Sequence, residues 1–334
     1  MSDGPGRISG QAGWGWGEYL EALVEEYGTL AAVAWKLFEQ GRGDEDVGSI
    51  ERALRRLRRR GQRDGGVWGD RLLGRFGMPR PIEDRLSWMG VYHSLFNDLS
   101  VAICSDQLRL WDFPPVSASP ARVWLYLGTA SLALRRRDFA AARVHYERVA
   151  AACAGGRVRD EARIEHALMI AYLESRTGSD AAQVAALELT ERLVASATLS
   201  AADRACFTAR LVDSWAFRDN HAGREAEAMA RYRSLPLDDV HPFASYRREA
   251  GLAYGWLRAG DRNAARRHAH AACDHAGDSG YARLRVMGLI LCARTEDAPA
   301  ARTFLARARS VAARLGDEEL AGRVERAAAQ LGLG

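Results

Sequence analysis

Residues 126–149 read YLGTASLALRRRDFAAARVHYERV, two helical stretches joined by the polar turn Arg135-Arg136-Arg137-Asp138. The second stretch carries Ala142, Tyr146 and Val149 at i, i+4 and i+7, the stripe a helix needs to pack along one face. Ala130 lies twelve residues before Ala142 on the first stretch. Small residues at these two positions let the helices approach closely, and the larger ones fill the space beside them. A hairpin this short cannot bury a core alone, so neighbouring hairpins must stack on it.

Two later stretches repeat the arrangement: GLAYGWLRAGDRNAARRHAHAA from Gly251 to Ala272, and VMGLILCARTEDAPAARTFLARA from Val286 to Ala308. Aligning Ala142, Ala182, Ala226, Ala265 and Ala300 as the small residues of successive second helices gives spacings of 40, 44, 39 and 35. These three stretches resemble tetratricopeptide (TPR) repeats, with Gly288, Ala300 and Phe304 at the small, small and aromatic positions of the family pattern. Arg307 departs from it, standing where a small residue is expected. The resemblance implies an all-α chain whose residues 121–334 form a right-handed α-solenoid of about five helix pairs, with Glu318 to Leu331 as a polar-faced capping helix. It also implies a concave groove that takes up a protein or peptide partner. By this alignment the groove is faced by Trp124, Trp215, Arg247, Tyr254 and Arg285, although the two tryptophans also suit the repeat core. The lysine and asparagine pattern with which some family members clamp a terminal carboxylate is not here.

Composition agrees with a helical protein. The chain has 334 residues, 48% of them hydrophobic, with only nine prolines, which suffices for a large core and few breaks. No apolar run reaches the roughly twenty residues that span a bilayer, and the start MSDGPGRISGQAGWGWG lacks the pattern of a signal peptide. A cytoplasmic location is therefore expected. Five cysteines, scattered and never in a CxxC pair, read as reduced thiols. Lys36 is the one lysine among 47 basic residues, as arginine-favouring codons of a GC-rich genome would give.

Charge is segregated in the first part of the chain. Residues 1–51 have net charge −7 and residues 52–80 have net charge +8. Residues 1–13 read as a disordered tail. Helices are expected from Glu18 to Tyr27, from Leu30 to Gln40 after a Thr29 cap, and from a Ser49 cap to Gly61. Others follow over Trp68 to Phe76, Ile82 to Asn97 and Val101 to Trp111. These make an N-terminal domain over 14–112, and DFPPVSASP (112–120) is the boundary before the repeats. In the third helix Ile50, Ala53, Leu54 and Leu57 form the apolar face. Arg52, Arg55, Arg56, Arg59 and Arg60 project from the rest, which resembles the recognition helix of helix-turn-helix proteins and implies phosphate contacts with DNA. Against this, the preceding loop spans about eight residues rather than the usual three or four, and Asn and Gln base readers are missing. A solvated face, or one paired with the acidic first helix or with a protein partner, fits these residues too.

Signatures of catalysis are missing from the sequence. There is no GxxxxGK loop, GxSxG elbow or HExxH helix, and GWGWG follows no strand. His268, His270, Cys273 and His275 are the densest set of metal-ligand types, but on a helix only His270 and Cys273 share a face. The sequence thus implies no catalytic residue, cofactor or metal. It points to a binding protein, with DNA-bound regulation as the alternative and an enzyme as the least supported reading.

Overall fold

The structure, a computed structural model, describes residues 14–39, 41, 45–155, 158–236 and 241–333. Among these residues all regular structure is helical, seventeen α-helices and one short 3-10 helix, with no strand. The tail expected over residues 1–13 lies outside the described residues. None of the described helices is long and apolar enough to cross a membrane. The chain divides into two compact units: one comprises residues up to 86 together with 106–125, the other 87–105 together with 126 onward.

The first unit is built on α1 (Trp16–Tyr27), α2 (Leu30–Phe38), α3 (Val47–Arg58) and α4 (Gly66–Phe76). Leu20, Leu23, Val33, Leu37, Ile50, Leu54 and Leu72 make its core. Thr29 caps α2 as the sequence predicts. The cap of α3 is Asp46 rather than Ser49, because the Asp46 carboxylate accepts the Ser49 backbone N–H at 3.0 Å and the Ser49 hydroxyl at 2.7 Å. The GWGWG stretch has a structural use: its Trp16 is buried, donating its backbone N–H to the Gly61 carbonyl and its indole N–H to the Arg63 carbonyl, both at 2.9 Å. Gly69 lies flat against the indole, where an added Cβ would come within 2.7 Å of the ring. Gly74, on the same helix, would meet nothing within 4 Å. Gly69→Ala is therefore expected to destabilise the unit by about 1–3 kcal/mol, and Gly74→Ala to stabilise it by about 0.5–1 kcal/mol. Urea denaturation of the two variants beside the parent checks both signs.

The helix expected over Ile82 to Asn97 is shorter. It runs as α5 (Arg80–Gly90), with Pro81 in the first turn, where proline costs no hydrogen bond. Beyond Gly90, side chains take over the carbonyls that a further turn would need. The Ser94 hydroxyl donates to the Trp88 and Val91 carbonyls at 2.6 and 2.8 Å, and the Asn97 amide to Val91 at 2.9 Å. The chain then makes the 3-10 turn Leu95–Asp98 and enters α6 (Val101–Trp111).

In the second unit the helices follow as pairs. These are α7 (Arg122–Arg135), whose first turn belongs to the other unit, with α8 (Phe139–Ala154); α9 (Asp160–Thr177) with α10 (Asp180–Ser196); and α11 (Ala201–His221) with α12 (Glu225–Arg233). Then come α13 (Pro242–Arg258) with α14 (Arg262–Asp278), α15 (Ala282–Thr295) with α16 (Ala298–Leu315), and the single helix α17 (Glu318–Gln330). From α8 onward each helix packs against its neighbours in the chain.

The second helix of every pair obeys one rule. Counted from the N-cap residue, positions four, eight and eleven are buried: Ala142, Tyr146 and Val149 in α8, then Gln183, Leu187 and Thr190 in α10. In α12 and the turn after it they are Ala228, Tyr232 and Leu235. In α14 they are Ala265, Ala269 and Ala272, and in α16 Ala301, Leu305 and Ala308. The alanine alignment of the sequence therefore holds at Ala142 and Ala265 and slips elsewhere. Ala182 and Ala300 are half-buried one residue early, and Ala226 is exposed two residues early. The cap sets the phase of each helix, whereas alanine is too common in this chain to mark it. Arg307 presents no conflict in packing, since the inward position beside it belongs to Ala308 and the guanidinium lies outside over Phe304.

Three histidines of this unit lie away from water, His93 buried and His166 and His241 half-buried. Burial holds His93, His166 and His241 below the ordinary value of 6.5, and for His93 the nearby Asp203 only partly opposes it. Such imidazoles bind protons less readily folded than unfolded. Their contribution to stability is present above about pH 6.5 and is lost as pH falls below it. The melting temperature is expected to drop between pH 7 and 5.5, and a melt unchanged over that range would contradict this account.

Candidate functional site: an arginine-lined cavity

With the second helices packed by their stripes, the first helices turn a face inward. Helices α9, α11, α13 and α15, joined by α7 and α17, line a cavity of about 530 Å³ in the second unit. Ligand pockets commonly hold roughly 300–1,000 Å³. What closes the circuit is ionic. Arg135 at the end of α7 donates through Nε to Asp317, the N-cap of α17, at 2.9 Å, and through its guanidinium to the carbonyls of Leu99 and Leu315. The first pair is thereby bound to the last helix.

Inside, two clusters of charge stand out. The first surrounds Tyr92, in the break after α5. The guanidinium groups of Arg283, Arg210 and Arg247 lie 4.4, 4.9 and 6.0 Å from its ring centre. Arg210 forms a two-point pair with the buried Glu165, at 2.5 and 2.8 Å. Arg247 holds Asp213, which also accepts the Tyr232 hydroxyl, both at 2.7 Å. Burial pushes the Tyr92 hydroxyl up, but Arg283, Arg247, Arg323 and Arg210 together hold it below its ordinary value of 10. A buried phenol lowered in this way marks a strongly positive potential.

The second cluster gathers at Glu319, where Arg176, Arg323 and Arg326 line the cavity and the exposed Arg137 stands outside its lining. Its carboxylate lies 3.0 Å from Arg323, 3.4 Å from Arg176, 3.5 Å from Arg137 and 3.8 Å from Arg326. Arg176 and Arg323 also approach the Tyr172 hydroxyl, at 3.3 and 3.4 Å. Beside them Arg294 finds, among the described residues, the amide oxygen of Gln330 at 2.9 Å, and burial pulls its guanidinium below the ordinary value.

Of the five groove residues drawn from the sequence, Arg247 and Tyr254 line this cavity. Trp124 is fully buried. Trp215 packs on the α9–α11 core with Arg231 over its ring. Arg285 is exposed on α15, turned away from the face that carries Arg283, Met287 and Arg294. The sequence reading missed Tyr92, Arg210, Arg283, Arg294 and Arg323. The signal for Arg283 and Arg294 was present: with Met287 and Ile290 they fall on one helical face that mixes charge with apolar residues.

The α3 arginines Arg52, Arg55, Arg56, Arg59 and Arg60 are all exposed. Arg52 donates to the Ser49 hydroxyl, Arg55 pairs with Glu51, and Arg60 donates to the Asp64 carbonyl. Arg58 reaches across to Glu21 on the acidic α1 at 2.6 Å. Arg56 and Arg59 have no partner among the described residues. Their place at the C-terminal end of α3 also suits the helix dipole. On α14, His268 pairs with Glu249 and His270 with Glu296, so the two histidines engage separate carboxylates.

Comparison with models of protein families, with curated proteins and with solved structures found no match to this chain.

Proposed function

We propose that this chain is a non-catalytic adaptor or regulator whose helix-pair unit, of tetratricopeptide type and right-handed, takes up a peptide segment of a protein partner on its inner surface. The observation that carries the reading is the cavity itself, where apolar and aromatic side chains alternate with guanidinium groups offering many donors. Arginine and tyrosine combine contact area with hydrogen bonding and serve well as anchors of interfaces. The two compact units would divide the work, in the cytoplasm. The test is to pan a random-peptide display library on the immobilised protein and on a Ser214→Trp variant that fills the cavity. Enrichment on the parent alone is expected; equal enrichment on both, or none, would end the reading.

DNA-bound regulation is the second reading, favoured by the free guanidinium groups of Arg56 and Arg59 on the basic face of α3. Removing one arginine that neutralises a phosphate should flatten the dependence of log affinity on log salt by about 0.9. The comparison is between the parent and Arg56→Glu/Arg59→Glu, once both are seen to melt alike. A parent without affinity for duplex DNA at low salt would exclude it.

A further inference from the structure

We infer that the segment bound in the cavity is acidic, carrying at least two side chains with carboxylate or phosphate groups that are received between Arg294, Arg323 and Arg326. The inference rests on the peptide reading above and adds the chemistry of the ligand. It begins from an imbalance of charge. Four guanidinium groups, those of Arg137, Arg176, Arg323 and Arg326, share the single carboxylate of Glu319 within 4.0 Å. Among the described residues three positive charges are left over there, and Arg294 adds one more with a neutral partner.

Closing the helix circuit does not require this surplus. The seam is made by Arg135 on Asp317 together with Arg137 and Arg176 on Glu319, and it leaves Arg294, Arg323 and Arg326 over. Arg294 and Arg326 contribute no short ion pair to it, and both line the cavity. Like charges held together in a cavity with low-dielectric walls repel one another and focus a field on the space between them. An anionic group in that space would be held by charge-assisted hydrogen bonds from planar donor forks, the geometry arginine offers to carboxylate and phosphate. The Tyr92 cluster lies in the same field, since Arg323 acts on both Glu319 and Tyr92. With several guanidinium groups beyond the one carboxylate of Glu319, a ligand with two or more anionic groups gains more than one with a single group. Apolar residues fit beside them, on Phe217, Met287 and Ile290.

The experiment uses three fluorescein-labelled degenerate peptide pools, alike except that the polar positions hold glutamate, phosphoserine or glutamine. Fluorescence anisotropy is measured with the parent, with Arg294→Gln/Arg326→Gln, and with Arg55→Gln/Arg59→Gln as a control for the protein's general basic charge. We expect the glutamate or the phosphoserine pool to bind the parent at least about tenfold more tightly than the glutamine pool. That margin should shrink in the Arg294/Arg326 variant and persist in the Arg55/Arg59 variant. Whichever of the two acidic pools binds more tightly names the anionic group, and either supports the inference. Glutamine peptides binding as well as acidic ones, in a manner blocked by Ser214→Trp, would overturn the acidic ligand and leave the peptide reading standing. Binding of no pool would overturn both. An acidic preference lost equally in both arginine variants would place it on the outer surface and overturn the cavity site. The glutamate-to-glutamine comparison is made on the peptide, so it holds even where a protein variant folds poorly.

Discussion

Asp317→Ala is expected to destabilise the second unit by about 3–5 kcal/mol, the usual cost of stranding one member of a buried ion pair. The side chains of Arg135 and Asp317 are only 4% and 2% exposed, so neither charge can turn to water when the other is removed. Burial already pulls the Arg135 guanidinium below its ordinary value, with nearby Arg283 adding to the effect and Asp317 opposing it. The carboxylate has a second task as the cap of α17, accepting the Leu320 N–H at 2.9 Å, and losing a cap costs about a further 1 kcal/mol. Asp317→Asn separates the two, because it keeps an acceptor for the cap and removes the charge. Denaturant unfolding should rank the parent above Asp317→Asn, and that above Asp317→Ala. Equal midpoints for all three would show that the seam contributes nothing to stability.

Gly251→Ala is also expected to destabilise the second unit, for a steric reason. A Cβ on Gly251 would lie 2.2 Å from the ring of Tyr232, so α13 approaches α12 too closely for any side chain at that point. The ring cannot retreat freely, since it is buried and its hydroxyl is held by Asp213, which also anchors Arg247. Overpacking of this kind costs about 1–3 kcal/mol, and here the strain is passed to the Tyr92 cluster through Arg247. Tyr232→Leu should in turn make room, so that Gly251→Ala costs less in that background than in the parent. Thermal melts of the two single variants and the double variant measure the coupling. Strict additivity would show that the two residues do not meet.

Helices with a pronounced apolar stripe were legible in the sequence to within a residue or two: α6 runs over Val101–Trp111 as read, and α17 begins at Glu318 as read. Propensity and periodicity suffice where one face is plainly apolar. They fail after Gly90, where Ser94 and Asn97 bond to the backbone and end a pattern that continues in the residue types. They fail again at Ala182, Ala226 and Ala300, because a small residue in an alanine-rich chain carries little information about phase. The cavity was harder still to read. Arg283 and Arg285 look alike in a chain whose basic residues are almost all arginine, and only the helix phase sends one inward and the other to solvent. Tyr92 and Arg283 meet across 191 residues, a closeness no local pattern encodes.

The ion pair between Arg135 and Asp317 joins residues 182 apart, and it changes what the ends of the second unit can do. In an array with free ends, the terminal helix touches one neighbour, frays first and exchanges its amide protons fastest. Here the first turn of α17 is fastened to α7 while Leu320, Val324, Ala327 and Ala328 are buried in the core of α15 and α16. Its amides should exchange nearly as slowly as those in the middle of the unit. Folding cannot run to completion by adding one pair after another from a single nucleus, because the last contact waits on both ends of the chain. Cutting away residues from 317 onward would then loosen the helices at the opposite end, α7 to α9, as well as those it touches in sequence.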